Sequence, residues 1–208
     1  MIIIGLTGSV GTGKTEVSNY FIRNKISVFD SDKKVRLIHE NTIVQQEISR
    51  LFPNSLVDKK VDRKKLAKVV FNDKEKLALL ENIIYTRLKQ IQSKWIRNKI
   101  SARKKIVVFD TPLLFEKDKL EKYDIKVLLT CSEAIQKNRV LKRSNWSLNR
   151  FNLTKELQME TKEKKLLADE IVSTDRGKRK TFQDIQNILN KTENHVHRNA
   201  KDILRNFN

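Results

Sequence analysis

Apolar positions along this chain fall into short continuous runs separated by stretches with helical spacing. Ile2 to Leu6 are apolar and stop at a glycine-rich turn, the pattern of a strand buried in a parallel sheet. Between Lys14 and about Asn24, Val17, Tyr20 and Phe21 recur at helical spacing. Ile26 to Phe29 predict a second short strand, closing on Asp30, Ser31 and Asp32. From about Lys33 to Lys99 the apolar positions repeat at three and four, most clearly at Leu77, Leu80, Ile84, Leu88 and Ile91. That region reads as helical, with its one obvious loop at Pro53 and Asn54. Ile106 to Phe109 predict a third strand, ending at Asp110 and the turn residues Thr111 and Pro112, and Ile125 to Leu129 a fourth. A helical region rich in Arg and Lys runs from about Ser132 to Leu167, Ala168 to Val172 predict a fifth strand, and Phe182, Ile185 and Ile188 mark a final helix.

Strands alternating with helices predict an α/β fold with a parallel five-stranded sheet. The connection between the second and third strands is far too long for one helix, so it should carry an inserted helical subdomain. Residues after about Lys191 read as a polar tail or a helical extension.

Composition narrows the class. A chain of 208 residues is long enough for a sizeable core, and 38% hydrophobic with 33% charged residues suits a soluble globular protein with a heavily charged surface. No apolar run reaches the length of a membrane span, and no signal-peptide pattern opens the chain. Cys131 is the single cysteine, which excludes an internal disulfide framework and makes the cytoplasm the expected compartment. A monomer is the favoured state.

The net charge of +19, from 44 Lys and Arg against 25 Asp and Glu, invites a nucleic-acid partner. The cations, however, come in scattered pairs such as Lys33-Lys34, Lys59-Lys60, Lys64-Lys65 and Lys104-Lys105, mixed with acids and without a nucleic-acid motif. A nucleic-acid partner is therefore not the expected one; a solvated surface, with some of the charge serving small polyanionic substrates, is.

Candidate chemistry is concentrated at the first turn. Gly8-Ser9-Val10-Gly11-Thr12-Gly13-Lys14-Thr15 satisfies the P-loop pattern of Gly, four residues, then Gly-Lys-Thr, between a predicted strand and a predicted helix. Glycines allow a concave nest of backbone N–H groups at the positive end of a helix. Lys14 should reach the β- and γ-phosphates of ATP or GTP, and Thr15 should place its hydroxyl on Mg²⁺. The glycines do not fit the dinucleotide spacing, and the chain has no N-K-x-D base-reading motif of a GTPase. Asp30 and Asp32 stand at the carboxyl end of the second strand, where ligands bind in parallel sheets. Asp32 fits either an acid directed at an acceptor hydroxyl or Mg²⁺, or a helix N-cap. Arg139 and Arg143, four apart, fit either a lid over phosphates or a solvated basic face. Cys131 reads as a packed residue, His195 and His197 as a solvated pair too small for a zinc site, and Trp95 as packing within the insert.

Taken together the chain resembles the dephospho-CoA kinase family from about Ile2 to Ile188. The likeness rests on IGLTGSVGTGKTEVSNYF at the P-loop, ISVFDSD ending in Asp-x-Asp, VDRKKLAKVVFND at 61–73, DTPLLFE at 110–116, RVLKR at 139–143 and KLLADEIV at 165–172. The Pro-Leu-Leu-Phe-Glu turn is the most distinctive of these. The resemblance implies transfer of the γ-phosphoryl group of ATP to the 3′-hydroxyl of the dephospho-CoA ribose, with Mg²⁺. It implies a P-loop core of three layers at 1–32, 101–131 and 166–192, a helical CoA-binding insert at 33–100, a lid at 132–165 and a tail at 193–208. Gly8 and Gly11, Thr12, Gly13, Lys14, Thr15 and Glu16 would hold the nucleotide, with Lys14, Arg139 and Arg143 on its phosphates. Asp32 would be the base or hydroxyl-positioning acid, and Leu113, Leu114, Phe115 and Glu116 would line the acceptor side. The chain departs from the family pattern at Glu16, at Tyr85-Thr86 in place of His-Pro, and at Ser144, Thr154 and Ser173-Thr174. A nucleoside monophosphate kinase is the same-class alternative, and a nucleic-acid-binding P-loop ATPase the alternative from another class.

Overall fold

The computed structural model describes residues 1–58, 60–71, 73–192 and 195–207. Lys59 of a lysine pair, Asn72 of the family-like segment, and Glu193, Asn194 and Asn208 of the tail lie outside the described residues.

In chain order, the elements begin with strand β1 (Ile2–Gly8), helix α1 (Lys14–Arg23) and strand β2 (Ser27–Asp30). Helices α2 (Ser31–Glu40) and α3 (Thr42–Leu51) follow, then strands β3 (Leu56–Val57) and β4 (Lys60–Val61), and helices α4 (Arg63–Phe71) and α5 (Lys74–Ser101). Strand β5 (Ile106–Asp110), helix α6 (Leu114–Lys117) and strand β6 (Ile125–Thr130) come next. Helices α7 (Glu133–Leu141), α8 (Leu148–Glu156) and α9 (Thr161–Leu167) precede strand β7 (Glu170–Ser173), and helices α10 (Gly177–Thr192) and α11 (Ala200–Phe207) close the chain. Among the described residues no helix is long and apolar enough to cross a membrane.

The chain divides into two units. Met1–Asp30 with Arg97–Phe207 forms one, and Ser31–Ile96 the other. The first is built on a five-stranded sheet in the order β2-β5-β1-β6-β7, every neighbouring pair parallel, as the alternating pattern predicts. The central strand β1 is buried along its whole length because both faces of the sheet are covered. Alternation sorts its residues. Ile2, Ile4 and Leu6 pack with Val17 and Phe21 of α1 and Ile185, Ile188 and Leu189 of α10. Gly5 points the other way, where a Cβ would come within 2.5 Å of Leu114 and 2.9 Å of Tyr123.

The second face carries the end of the chain. Of the two readings of the segment after Lys191, a polar tail or a helical extension, α11 is the second, an amphipathic helix that buries Ile203 and Phe207. Phe207 stacks on Phe109 of β5 with ring centroids 5.1 Å apart. Arg198, just before α11, donates to the carbonyls of Glu121 and Lys122 and pairs with Asp124 at 2.7 Å.

The second unit is mainly helical, with one departure from the expected run of helices. A 3-10 turn at Pro53–Ser55 leads into the antiparallel pair β3 and β4, in place of a simple loop. Strands of two residues are too short for a period of two to register in the sequence, and Asp58 turns the chain with a φ of 48°.

Candidate active site

The loop between β1 and α1 is shaped by its glycines. Gly11 and Gly13 have φ of +83° and +90°, where side chains are rarely accommodated, and a Cβ on Gly11 would lie 2.8 Å from the Gln136 carbonyl oxygen. Thr12 closes the turn inside, its N–H and hydroxyl donating to the Ser9 carbonyl at 3.2 and 2.8 Å. The result is a backbone nest leading directly into the positive end of α1.

Lys14, the first residue of α1, forms an ion pair with Asp110, the last residue of β5. Ser18, one turn further along α1, donates to the other Asp110 oxygen at 2.6 Å. Asp110 is buried and stands beside Asp30 in the register of β2 and β5, at the carboxyl edge of the sheet. Sequence reasoning treats Asp110 only as a strand end. The signal that could have found it is an acid closing an apolar strand at the edge where α/β sheets bind ligands.

Arg139 reaches the P-loop from α7. Its guanidinium donates to the Gly11 carbonyl at 3.3 Å, the Thr174 hydroxyl at 2.8 Å and the Thr174 carbonyl at 3.0 Å, while the Thr174 hydroxyl donates to the Thr12 carbonyl at 2.9 Å. The arginine and the threonine thus brace the loop's backbone. Arg143 lies just past the end of α7, which stops at Leu141 with Lys142 as its cap, and is exposed there. Cys131 lies with its sulfur 3.8 Å from the Gly11 carbonyl, and burial pushes its thiol pKa up, against the opposing pull of Arg139.

Gly11, Gly13, Thr15, Glu16, Arg139 and Arg143 line one cavity of about 430 Å³, completed by Thr174, Lys178, Thr181 and Phe182. Lys14 faces Asp110, and Gly8 and Thr12 form the inner turn of the loop. Glu16 pairs with Lys178 of α10 at 2.8 Å, and that hydrogen bond holds its carboxyl below the usual range. Phe182 stacks on Tyr20 at 4.5 Å, giving the cavity an aromatic wall.

The Pro-Leu-Leu-Phe-Glu turn sits beside the P-loop strand, Thr7 donating to the Pro112 carbonyl at 3.1 Å. Leu114 is fully buried and Phe115 buried, because the turn packs onto Gly5 of the sheet; Leu113 is half-buried. Glu116 is turned toward Lys164, at 2.8 Å, and the Met159 N–H, at 3.1 Å. Asp32 is in the first turn of α2, which starts at Ser31, so it is not the N-cap the sequence allowed. It belongs to the second unit, and the other candidate residues belong to the first.

Comparison with known proteins gives a consistent set of relatives. The family model described as dephospho-CoA kinase (CoaE) matches residues 2–180. The chain is 35% identical over 189 residues to the dephospho-CoA kinase of Bartonella quintana, covering 91% of this chain and 97% of that one. Among solved structures, TT1252 from Thermus thermophilus superposes with a TM-score of 0.82 at 27% identity, covering 94% of this chain and 98% of the other. The dephospho-CoA kinase from Campylobacter jejuni shares the fold with a TM-score of 0.65 at 22% identity, over 91% and 96% of the two chains.

Proposed function

We propose that this chain, which belongs to the dephospho-CoA kinase family, transfers the γ-phosphoryl group of ATP to the 3′-hydroxyl of the dephospho-CoA ribose, the last step of coenzyme A synthesis. The observation that carries the reading is the P-loop nest with Lys14 drawn to Asp110 at its side, opening on the cavity lined by Thr15 and Arg143. Neither a monophosphate kinase nor a nucleic-acid ATPase is favoured by the relatives, which are named dephospho-CoA kinases across nearly their whole lengths.

The roles follow from charge and position. The nest from Gly8 to Gly13 and the N-terminus of α1 bind the triphosphate through backbone N–H groups. Lys14 exchanges its partner Asp110 for the β- and γ-phosphates, so the loop carries its cation ready-placed before nucleotide arrives. Arg143, exposed on the cavity wall, is the lid cation free to meet phosphate, whereas Arg139 works by holding Gly11 and Thr174 in place. Thr15 and Asp110 offer hard oxygen donors that would hold Mg²⁺. A bound Mg²⁺ would supply charge neutralisation on the nucleotide's phosphates. Asp32 receives or orients the acceptor hydroxyl, a role supported by the Asp-x-Asp resemblance. Phe182 and the Thr181 side of the cavity form the wall against the nucleobase.

The test is ADP release from Mg-ATP with dephospho-CoA, with each nucleoside monophosphate, or with no acceptor. The expected result is a signal with dephospho-CoA alone. A signal with a monophosphate in its place moves the substrate, and silence throughout refutes the kinase reading.

A further inference from the structure

Lys164 is fully buried, with its ammonium 2.8 Å from Glu116 Oε1, and Glu116 is itself only 14% exposed. The second Glu116 oxygen is buried with no hydrogen-bond partner among the described residues. A buried pair of this kind is a poor stabiliser, because two apolar side chains of the same volume hold a core at least as well. Its value lies in what it fixes. Glu116 ends the Pro-Leu-Leu-Phe-Glu turn, Lys164 is in α9, and the same Glu116 oxygen accepts the Met159 N–H at 3.1 Å. The neighbouring residue continues the chain of contacts. Gln158 accepts the Val10 N–H at 3.4 Å, and Gln136 of α7 donates to the Val10 carbonyl at 3.2 Å. The apex of the P-loop is therefore held from both sides by residues that flank the lid helix α8.

We propose that Glu116 and Lys164 form the fixed pivot of the lid, and that Gln158 carries its position to Val10 of the P-loop, making all three positioning residues for phosphoryl transfer. The proposal rests on the kinase reading above and departs from the acceptor-side role that the family resemblance implies for Glu116. Glu116 addresses the lid and the phosphate loop, and does not bind the acceptor. Because a displacement of about 1 Å at a reacting group can cost about a hundredfold in rate, a loosened pivot acts on turnover before it acts on stability.

The experiment compares wild type, the double variant Glu116→Met with Lys164→Met, and Gln158→Leu. Kinetics with both substrates, thermal unfolding, and hydrogen exchange of residues 148–167 with and without Mg-ATP are measured on each. The double variant is expected to unfold at or above the wild-type temperature while kcat falls by about tenfold or more and both KM values stay within about twofold. Gln158→Leu, which removes one acceptor and no buried charge, is expected to lose kcat similarly with an unchanged unfolding temperature; it decides the matter if the double variant does not fold. Mg-ATP should protect the lid from exchange in wild type and not in the double variant. Wild-type kcat in either variant overturns the pivot, as does a rise in the dephospho-CoA KM alone, which would make Glu116 an acceptor contact. Should wild type show no dephospho-CoA-dependent turnover, the kinase reading fails by itself, and the exchange data still decide: equal protection in wild type and double variant overturns the proposal.

Discussion

At the scale of single residues, the pairing of Lys14 with Asp110 separates two acids that sequence alone leaves hard to rank. Asp110 is buried, paired with Lys14 and hydrogen-bonded by Ser18, so it is preorganised before any ligand binds. Asp32 is a first-turn helix residue of the other unit, and its proposed role is that of an acid toward the acceptor hydroxyl. The two substitutions should therefore fail differently. Asp110→Asn is expected to lower kcat by about a hundredfold and to raise the Mg²⁺ concentration needed for half-maximal rate. Asp32→Asn should lose about as much turnover while ATP affinity, measured by calorimetry, stays near wild type. Lys14→Ala should lose both affinity and turnover. An Asp32→Asn protein that no longer binds ATP would make that acid structural or metal-directed, and an Asp110→Asn protein with unchanged Mg²⁺ dependence would leave Asp110 only a tether for Lys14.

At the scale of elements, sequence and structure part where contacts are long-range. The five strands were legible because each is a short apolar run ending in a turn, and the P-loop because its chemistry fixes its spacing. The hairpin at β3 and β4 was not, since two residues cannot display alternation. Gln136, Gln158 and Lys164 were not either, because their partners stand 126, 148 and 48 residues away along the chain. Asp110 carried the signal of an acid closing an apolar strand, but its pairing with Lys14, 96 residues away, was not legible. The helix α11 was legible only as one of two readings, and its packing was not legible at all. Ile203 and Phe207 sit four apart in a polar stretch, and only the open face of the sheet beside Phe109 gives them somewhere to go. If α11 is a structural cover, Phe207→Ala should cost about 3 kcal/mol, by loss of a buried ring, and lower the melting temperature by about 6–12 °C for a chain of this size. Differential scanning calorimetry decides it. A shift under about 2 °C would mean that the stack on Phe109 contributes little.

At the scale of the whole molecule the question is the charge. A net +19 repels itself in the folded state, and the ion pairs that relieve it, such as Lys178 with Glu16 and Lys155 with Glu133, are mostly exposed and individually weak. The same field draws in two substrates that are both polyanions. These effects respond to salt in opposite directions. Raising NaCl from about 20 to about 300 mM shortens the screening length from about 20 Å to about 6 Å, which quiets repulsion between distant lysines. The melting temperature should therefore rise by a few degrees over that range. In parallel, kcat/KM for ATP and dephospho-CoA should fall severalfold, because steering is lost while the nest at the P-loop, which binds through short backbone contacts, is not. RNA added at low salt should act only as a competitor, relieved by the same NaCl. A melting temperature that falls with salt would mean that local pairs outweigh the global repulsion, and stimulation of ATP turnover by RNA would reassign the basic surface to a nucleic-acid partner.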